Sequence, residues 1–245
     1  LEDAYEPGRS MGTFGEDCAA KYGFTRAEQD AFATASVERA KAATASGAFA
    51  AEITPVTVKS RAGETVVSVD EGPGKVKLDK IASLKPAFKK DGTITAASSS
   101  SINDGAAALV MMRASTATKL GCKPLARIVG HATHAQEPEW FATAPLGATQ
   151  KALAKAGWAV GDVDLWEINE AFAVVPMALM KELNLPHDKV NVNGGACALG
   201  HPIGASGARI MVTLIYALQA RGLKKGLATL CIGGGEATAV AVELV

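Results

Sequence analysis

This chain lacks the features that would place it in several broad classes. Its four cysteines, Cys18, Cys122, Cys197 and Cys231, are scattered without paired spacing. That excludes a disulfide framework and a metal-ligating cysteine pattern. It fits a reducing compartment, with the cytoplasm as the expected location. An excess of either charge is also missing: 25 Lys and Arg offset 25 Asp and Glu, and the pI is about 7.1. Such a chain carries no electrostatic footprint for nucleic acid or an anionic membrane surface. No apolar run approaches the roughly 20 residues that cross a bilayer. No signal-peptide pattern is present, although residues upstream of Leu1 would hide one. The 245 residues suffice for one or two domains with a real core.

What is present is concentrated in three short stretches. Asn193 to Arg209 reads NGGACALGHPIGASGAR and sets one histidine, His201, among five glycines. Glycine there lets the backbone turn sharply or pass close to another segment. Pro202 suits the first turn of a helix, which predicts His201 at a helix N-terminus. Read alone, the histidine is as readily a packed or surface residue as a catalytic one.

Near the end, Leu230-Cys231-Ile232-Gly233-Gly234-Gly235 joins two apolar runs and reads as a β-hairpin. Cys231 falls at a strand end, beside bare backbone N–H groups able to stabilise an oxyanion. Buried packing is the common role of a free cysteine and remains the other reading. In the third stretch, Asn169 and Glu170 sit between a short apolar strand and a helix. Ligand contacts gather at such strand ends, and Asn169 would also serve as a helix N-cap.

Two regions separate along the chain, 1–102 and 103–245. In the first, Thr25-Arg26-Ala27-Glu28 is a capping box, predicting a helix to about Ser46 with Gly47 as the stop. Strand-like runs follow at Ile53 to Lys59 and Glu64 to Val69. The second region alternates strands (106–112, 125–130, 163–168, 227–231, 237–244) with helices (115–120, 145–156, 171–183, 203–221). The fold class is therefore α/β: a mixed five-stranded sheet with helices on both faces, preceded by an irregular α+β region.

Together these stretches carry a resemblance. Asn169-Glu170-Ala171-Phe172, Gly200-His201-Pro202-Ile203-Gly204 and Cys231-Ile232-Gly233-Gly234-Gly235 resemble, in order, three C-terminal motifs of the thiolases. Asn103 to Ala108 and Ser10-Met11-Gly12 are similar to further segments of that family, so the resemblance covers essentially the whole chain. Thiolases are CoA-dependent acyltransferases that make or cleave β-ketoacyl-CoA. The resemblance implies that residues 1–102 are the loop domain covering the active site and 103–245 the C-terminal domain.

It further implies roles. His201 would activate a nucleophilic thiol and, with a water on Asn169, hold the thioester oxygen. Cys231 would be the acid/base at the α-carbon, its thiolate made accessible by neighbours. Gly233 would lend an N–H to a second oxyanion site. Coenzyme A enters as substrate, with no bound cofactor and no metal. Ser100, Leu84, Phe88 and Phe141 match CoA-contacting positions, with a solvated loop as the other reading of Ser98 to Ser101. Pro73 stands where a phosphate-binding arginine is common, and Ser10 where a histidine is expected. The family's oligomers are homodimers or homotetramers.

None of the four cysteines has the nucleophile's setting, Asn-x-x-Cys-x-Ser-Gly. Cys197, four residues before His201, fits a small packed residue better than a replacement nucleophile. The expectation is a thiolase lacking its N-terminal nucleophile domain, inactive alone and exposing apolar surface where that domain belongs. A ketoacyl synthase shares the fold but usually has a second catalytic histidine where this chain has Asn169. A non-catalytic CoA-binding or interaction fragment is the other alternative.

Overall fold

The computed structural model describes residues 1–245. α1 (Met11–Tyr22) leads into α2 (Arg26–Ser46), which begins as its sequence dictates. The Glu28 N–H donates to the Thr25 hydroxyl at 3.2 Å, and the Thr25 N–H donates to the Glu28 carboxylate at 2.7 Å. This reciprocal pairing satisfies two otherwise orphaned donors. Gly47, left-handed at φ +76°, ends the helix. β1 (Val56–Ser60) and β2 (Gly63–Val67) then form an antiparallel hairpin exposed along its whole length. α3 (Gly72–Lys75) follows, then an irregular stretch to α4 (Ala114–Lys119).

The remaining elements are β3 (Ala126–Ala135), α5 (Ala144–Ala156), β4 (Leu165–Ile168), α6 (Val174–Leu183), α7 (Ala196–Leu199), α8 (Ser206–Arg221), β5 (Lys225–Ile232) and β6 (Glu236–Leu244). The sheet runs in the order β3-β6-β5-β4, with β4 and β5 parallel and the other pairs antiparallel. It is mixed, as expected, but it has four strands and not five. Residues 106–112 form no strand. Val110 is 88 % exposed and Met111 70 % exposed. The cause is pairing: a ladder needs a neighbour to take its N–H and C=O groups, and none lies alongside this apolar run.

Helices cover both faces, and the strands show why. On β6, Ala237, Ala239 and Ala241 join the core that holds Ala148 and Ala152 of α5. Val242 turns the other way, onto Ile210, Leu214 and Leu218 of α8. The two-residue alternation of a strand thus builds one core on each side. β4 is buried on both faces, with Trp166 and Ile168 in the first core and Leu165 in the second. Each such large side chain contributes about 1.5–3 kcal/mol by leaving water. Glu167, on the Leu165 side, is the exception in this apolar strand. The outer edge of β4 is covered by Asn191, whose amide pairs with the Ile168 N–H and C=O at 2.8 Å each, as a neighbouring strand would.

Candidate active site

Asn169 follows β4 directly. Its N–H continues the parallel ladder to the Thr229 carbonyl at 3.0 Å. That sets it at the carboxyl ends of β4 and β5, where Cys231 also lies. Asn169 does not cap a helix, because α6 starts only at Val174. The side chain is buried, and its Nδ2 lies 3.4 Å from His201 Nε2.

His201 occupies the turn between α7 and α8. Pro202 is not in the first helical turn as the sequence suggests. Its carbonyl instead accepts from the N–H groups of Ala205 and Ser206 at 2.8 and 2.9 Å, and α8 starts at Ser206. The chain enters through Gly200 at φ +89°, where a Cβ would stand 2.2 Å from the Asn103 amide oxygen. The left-handed backbone is what calls for glycine there, since the exposed Asn103 amide could swing aside.

The hydrogen bonds assign the tautomer of His201. Its Nδ1 lies 2.6 Å from Ser206 Oγ, and that hydroxyl donates to the Pro202 carbonyl at 3.1 Å. Ser206 therefore accepts from Nδ1–H, and Nε2 is left with a lone pair facing the Asn169 amide. Burial, and then the charge of Arg209, hold the imidazole below its ordinary pKa. A neutral ring with a free Nε2 is a base ready to take a proton.

Cys231 is the penultimate residue of β5 and is buried. Burial is the main force that pushes its thiol up to about 12, Cys18 adds to this, and only a backbone hydrogen bond opposes it. The neighbours expected to make its thiolate accessible are therefore not found, and the group is protonated at neutral pH. Gly233 lies in the turn just beyond, with the Met11 side chain nearby. Cys197 is held by burial and by Glu170 well above the ordinary thiol range. That suits a packed residue and not a nucleophile.

Two supports were not apparent in the sequence. The first is a strap, Ser98 to Ile102, running between the motifs. Ala173 N–H donates to Ser98 O at 2.8 Å, Ser100 N–H to Ala171 O at 3.0 Å, and His201 N–H to Ser101 O at 2.9 Å. Ser98 and Ser99 are buried, and only the far end, Ser101 and Ile102, is exposed to solvent. Ser100 is half-buried, its hydroxyl donating to Ala171 O at 3.0 Å. The second support is Glu170, fully buried, which accepts from the Ser36 hydroxyl at 2.7 Å, the Asn191 amide at 2.8 Å and the Cys197 N–H at 2.9 Å.

The other expected contact residues fall in two places. Phe141 is buried with edge-on packing to Phe14 and Phe172, and Phe88 packs edge-on to Phe172 at 5.6 Å. Leu84 is half-buried near the start of α2, its carbonyl accepting from Arg26 at 2.9 Å. Pro73 is buried within α3, and Ser10 precedes α1 without a capping bond. No group of three or more histidine, cysteine or acidic side chains is placed to hold a metal ion. No helix is long and apolar enough to cross a membrane.

Known proteins share this fold. Residues 122–244 match the family profile described as "Thiolase, C-terminal domain", and residues 1–115 match "Thiolase, N-terminal domain". The first stretch, expected to be loop domain alone, thus has a counterpart in the family's N-terminal profile; Cys18 is its single cysteine. The acetyl-CoA acetyltransferase of Chromobacterium violaceum is 55 % identical over 245 residues, 99 % of this chain and 62 % of that protein. That of Paracoccus denitrificans is 52 % identical over 95 % of this chain and 60 % of its own length. Among solved structures, the Bacillus anthracis acetyl-CoA acetyltransferase superposes with a TM-score of 0.96 at 46 % identity, covering 100 % of this chain and 62 % of that one. Human mitochondrial 3-ketoacyl-CoA thiolase superposes with a TM-score of 0.92 at 39 % identity, with the same two coverages. The chain spans about three-fifths of the length of the curated relatives it matches.

Proposed function

This chain belongs to the thiolase family, and from that premise we propose that it is the acid–base half of an acyl-CoA acyltransferase. The reaction is condensation of two acetyl-CoA molecules or thiolysis of a 3-ketoacyl-CoA. The observation that carries this reading is the His201–Asn169 pair, with Nε2 unprotonated, at the same strand ends as Cys231.

The chemistry follows from those atoms. A thiol attacks the acyl carbonyl, and His201 Nε2 takes its proton. The resulting Nε2–H and a water held by the Asn169 amide then donate toward the oxygen that gains charge. In the thiolysis direction the β-ketoacyl carbon–carbon bond breaks, and the acetyl-CoA carbanion needs a proton. Cys231, protonated at rest, is the donor. In the condensation direction Cys231 gives that proton to the CoA thiolate leaving the first acyl-CoA, and as a thiolate it removes one from the α-carbon of the second acetyl-CoA; the carbanion then attacks the carried acyl group and expels the carrier thiolate, which recovers its proton from His201. In this reading the Gly233 N–H serves as donor to the enolate oxygen. None of the four cysteines has the setting of the acyl-carrying nucleophile, so in this reading the attacking thiol is not one of these four.

Coenzyme A is the substrate carrier, and no cofactor or metal takes part. Ser100, Leu84, Phe88 and Phe141 contact its pantetheine and adenine portions. Residues 1–102 act as the covering domain and 103–245 as the C-terminal domain. The intact protein is a cytoplasmic homodimer or homotetramer of fatty-acid metabolism. Calorimetric titration of CoA onto the chain, with a thiolysis assay using acetoacetyl-CoA, tests the reading. Saturable binding without turnover is expected; no binding at millimolar CoA overturns it.

A further inference from the structure

Two ionisable side chains, buried Glu167 and half-buried Arg209, have no part in the steps above. Glu167 is 1 % exposed and sits two residues before Asn169, on the same side of the strand. Arg209 lies on α8 three residues after Ser206, one helical turn along the same face. Their nearest atoms, Glu167 Oε2 and Arg209 Nη1, are 3.5 Å apart. Each residue thus neighbours one of the two groups that grip the imidazole: Asn169 at Nε2 and Ser206 at Nδ1.

We propose that Glu167 and Arg209 are positioning residues for His201: their contact joins α8 to the end of β4 and so fixes the distance between Asn169 and Ser206, the two groups that hold the ring. This rests on the reading of His201 as the base, but its test does not.

Stability alone does not account for the pair. A buried acid set against a guanidinium is often no more stabilising than apolar residues of the same volume. Here Glu167 Oε1 and Arg209 Nη1 even lack hydrogen-bond partners. Glu52, Glu170 and Arg221 face Glu167, and Glu52 and Asp70 face Arg209. Burial raises Glu167 to about 8, against the pull of Arg209. The carboxyl therefore keeps its proton through the range where an imidazole titrates. The arginine charge is not cancelled there, and it lowers the proton affinity of His201. A neutral ring is what a proton acceptor needs.

The test is nitrogen NMR of the His201 ring in the 245-residue chain, titrated from pH 5 to 9. Arg209→Gln is expected to raise the His201 midpoint toward the ordinary imidazole range, and Arg209→Lys, which keeps the charge, to restore it. Glu167→Gln mimics the protonated acid and leaves the midpoint in place. Glu167→Ala breaks the tie and mixes the two ring tautomers. Should Arg209→Gln fail to fold, Arg209→Lys and Glu167→Ala carry the test. The proposal is overturned if folded Arg209→Gln or Glu167→Ala keeps the wild-type midpoint and tautomer. It is also overturned if Glu167→Gln moves the midpoint as far as Arg209→Gln. No CoA binding alongside the expected ring shifts would sink the functional reading and leave this one standing.

Discussion

Ser36 of α2 donates to Glu170 Oε2 at 2.7 Å in a fully buried contact between residues 134 apart in sequence. The same hydroxyl accepts from the Gly195 N–H at 3.0 Å. One small side chain therefore joins the first half of the chain to both segments that carry Asn169 and His201. Ser36→Ala leaves a buried N–H without a partner and Glu170 with one donor fewer. The expected loss is about 1–3 kcal/mol, read as a lower Tm and a lower urea midpoint with an unchanged slope.

The raised carboxyl groups give a stability that falls with pH. Glu167 goes from 4.5 unfolded to about 8 folded, and Glu52 from 4.5 to about 7, both chiefly through burial. Between those values the folded chain binds more protons than the unfolded one, so stability drops as pH rises. Their contribution is fully present below about 4.5 and is lost as pH passes through 7 and 8. Thermal melts from pH 5 to 9 should show Tm falling, with a shallower fall in Glu167→Gln. A Tm rising steadily over that range would refute the assignment.

Thiol reactivity should separate the cysteines. Cys122 is exposed, while Cys18 and Cys231 are buried and Cys197 is half-buried. Burial pushes Cys18 and Cys231 up to about 12, and Cys197 is also raised. Brief iodoacetamide treatment at pH 7.5 is expected to label Cys122 alone in the folded chain and all four in denaturant, as read by intact mass. Rapid labelling of Cys197 would reopen its candidacy as a nucleophile.

Residues 106–112 expose a continuous apolar run, including Val110, Met111 and Met112. Such a surface favours association. Light scattering should show an apparent mass above 25.1 kDa that rises with concentration. The double change Val110→Asp and Met111→Lys should reduce that rise without lowering Tm.

Much of this architecture is legible in the sequence because its signals are local. The Thr25 capping box and Gly47 bound α2 within a residue, and the glycines after Cys231 mark the β5–β6 turn. The site motifs could be read because strand ends and glycine-rich turns collect functional groups. The fifth strand failed for a physical reason: a continuous apolar run has no period, and only a neighbour makes it a strand. α8 begins at Ser206 and not at Ile203, because Pro202 closes a separate turn with Ala205 and Ser206. The strap, the Ser36–Glu170 contact and the Glu167–Arg209 tie join distant residues, and no local pattern announces such pairs.

The most direct test of the central claim is a titration of acetyl-CoA into the isotopically labelled chain. The NMR signals of Asn169, His201 and Cys231 would be followed, with turnover measured on the same sample. The account predicts saturable shifts at all three residues and no turnover. Shifts confined to other surfaces, or turnover by the 245-residue chain itself, would contradict it.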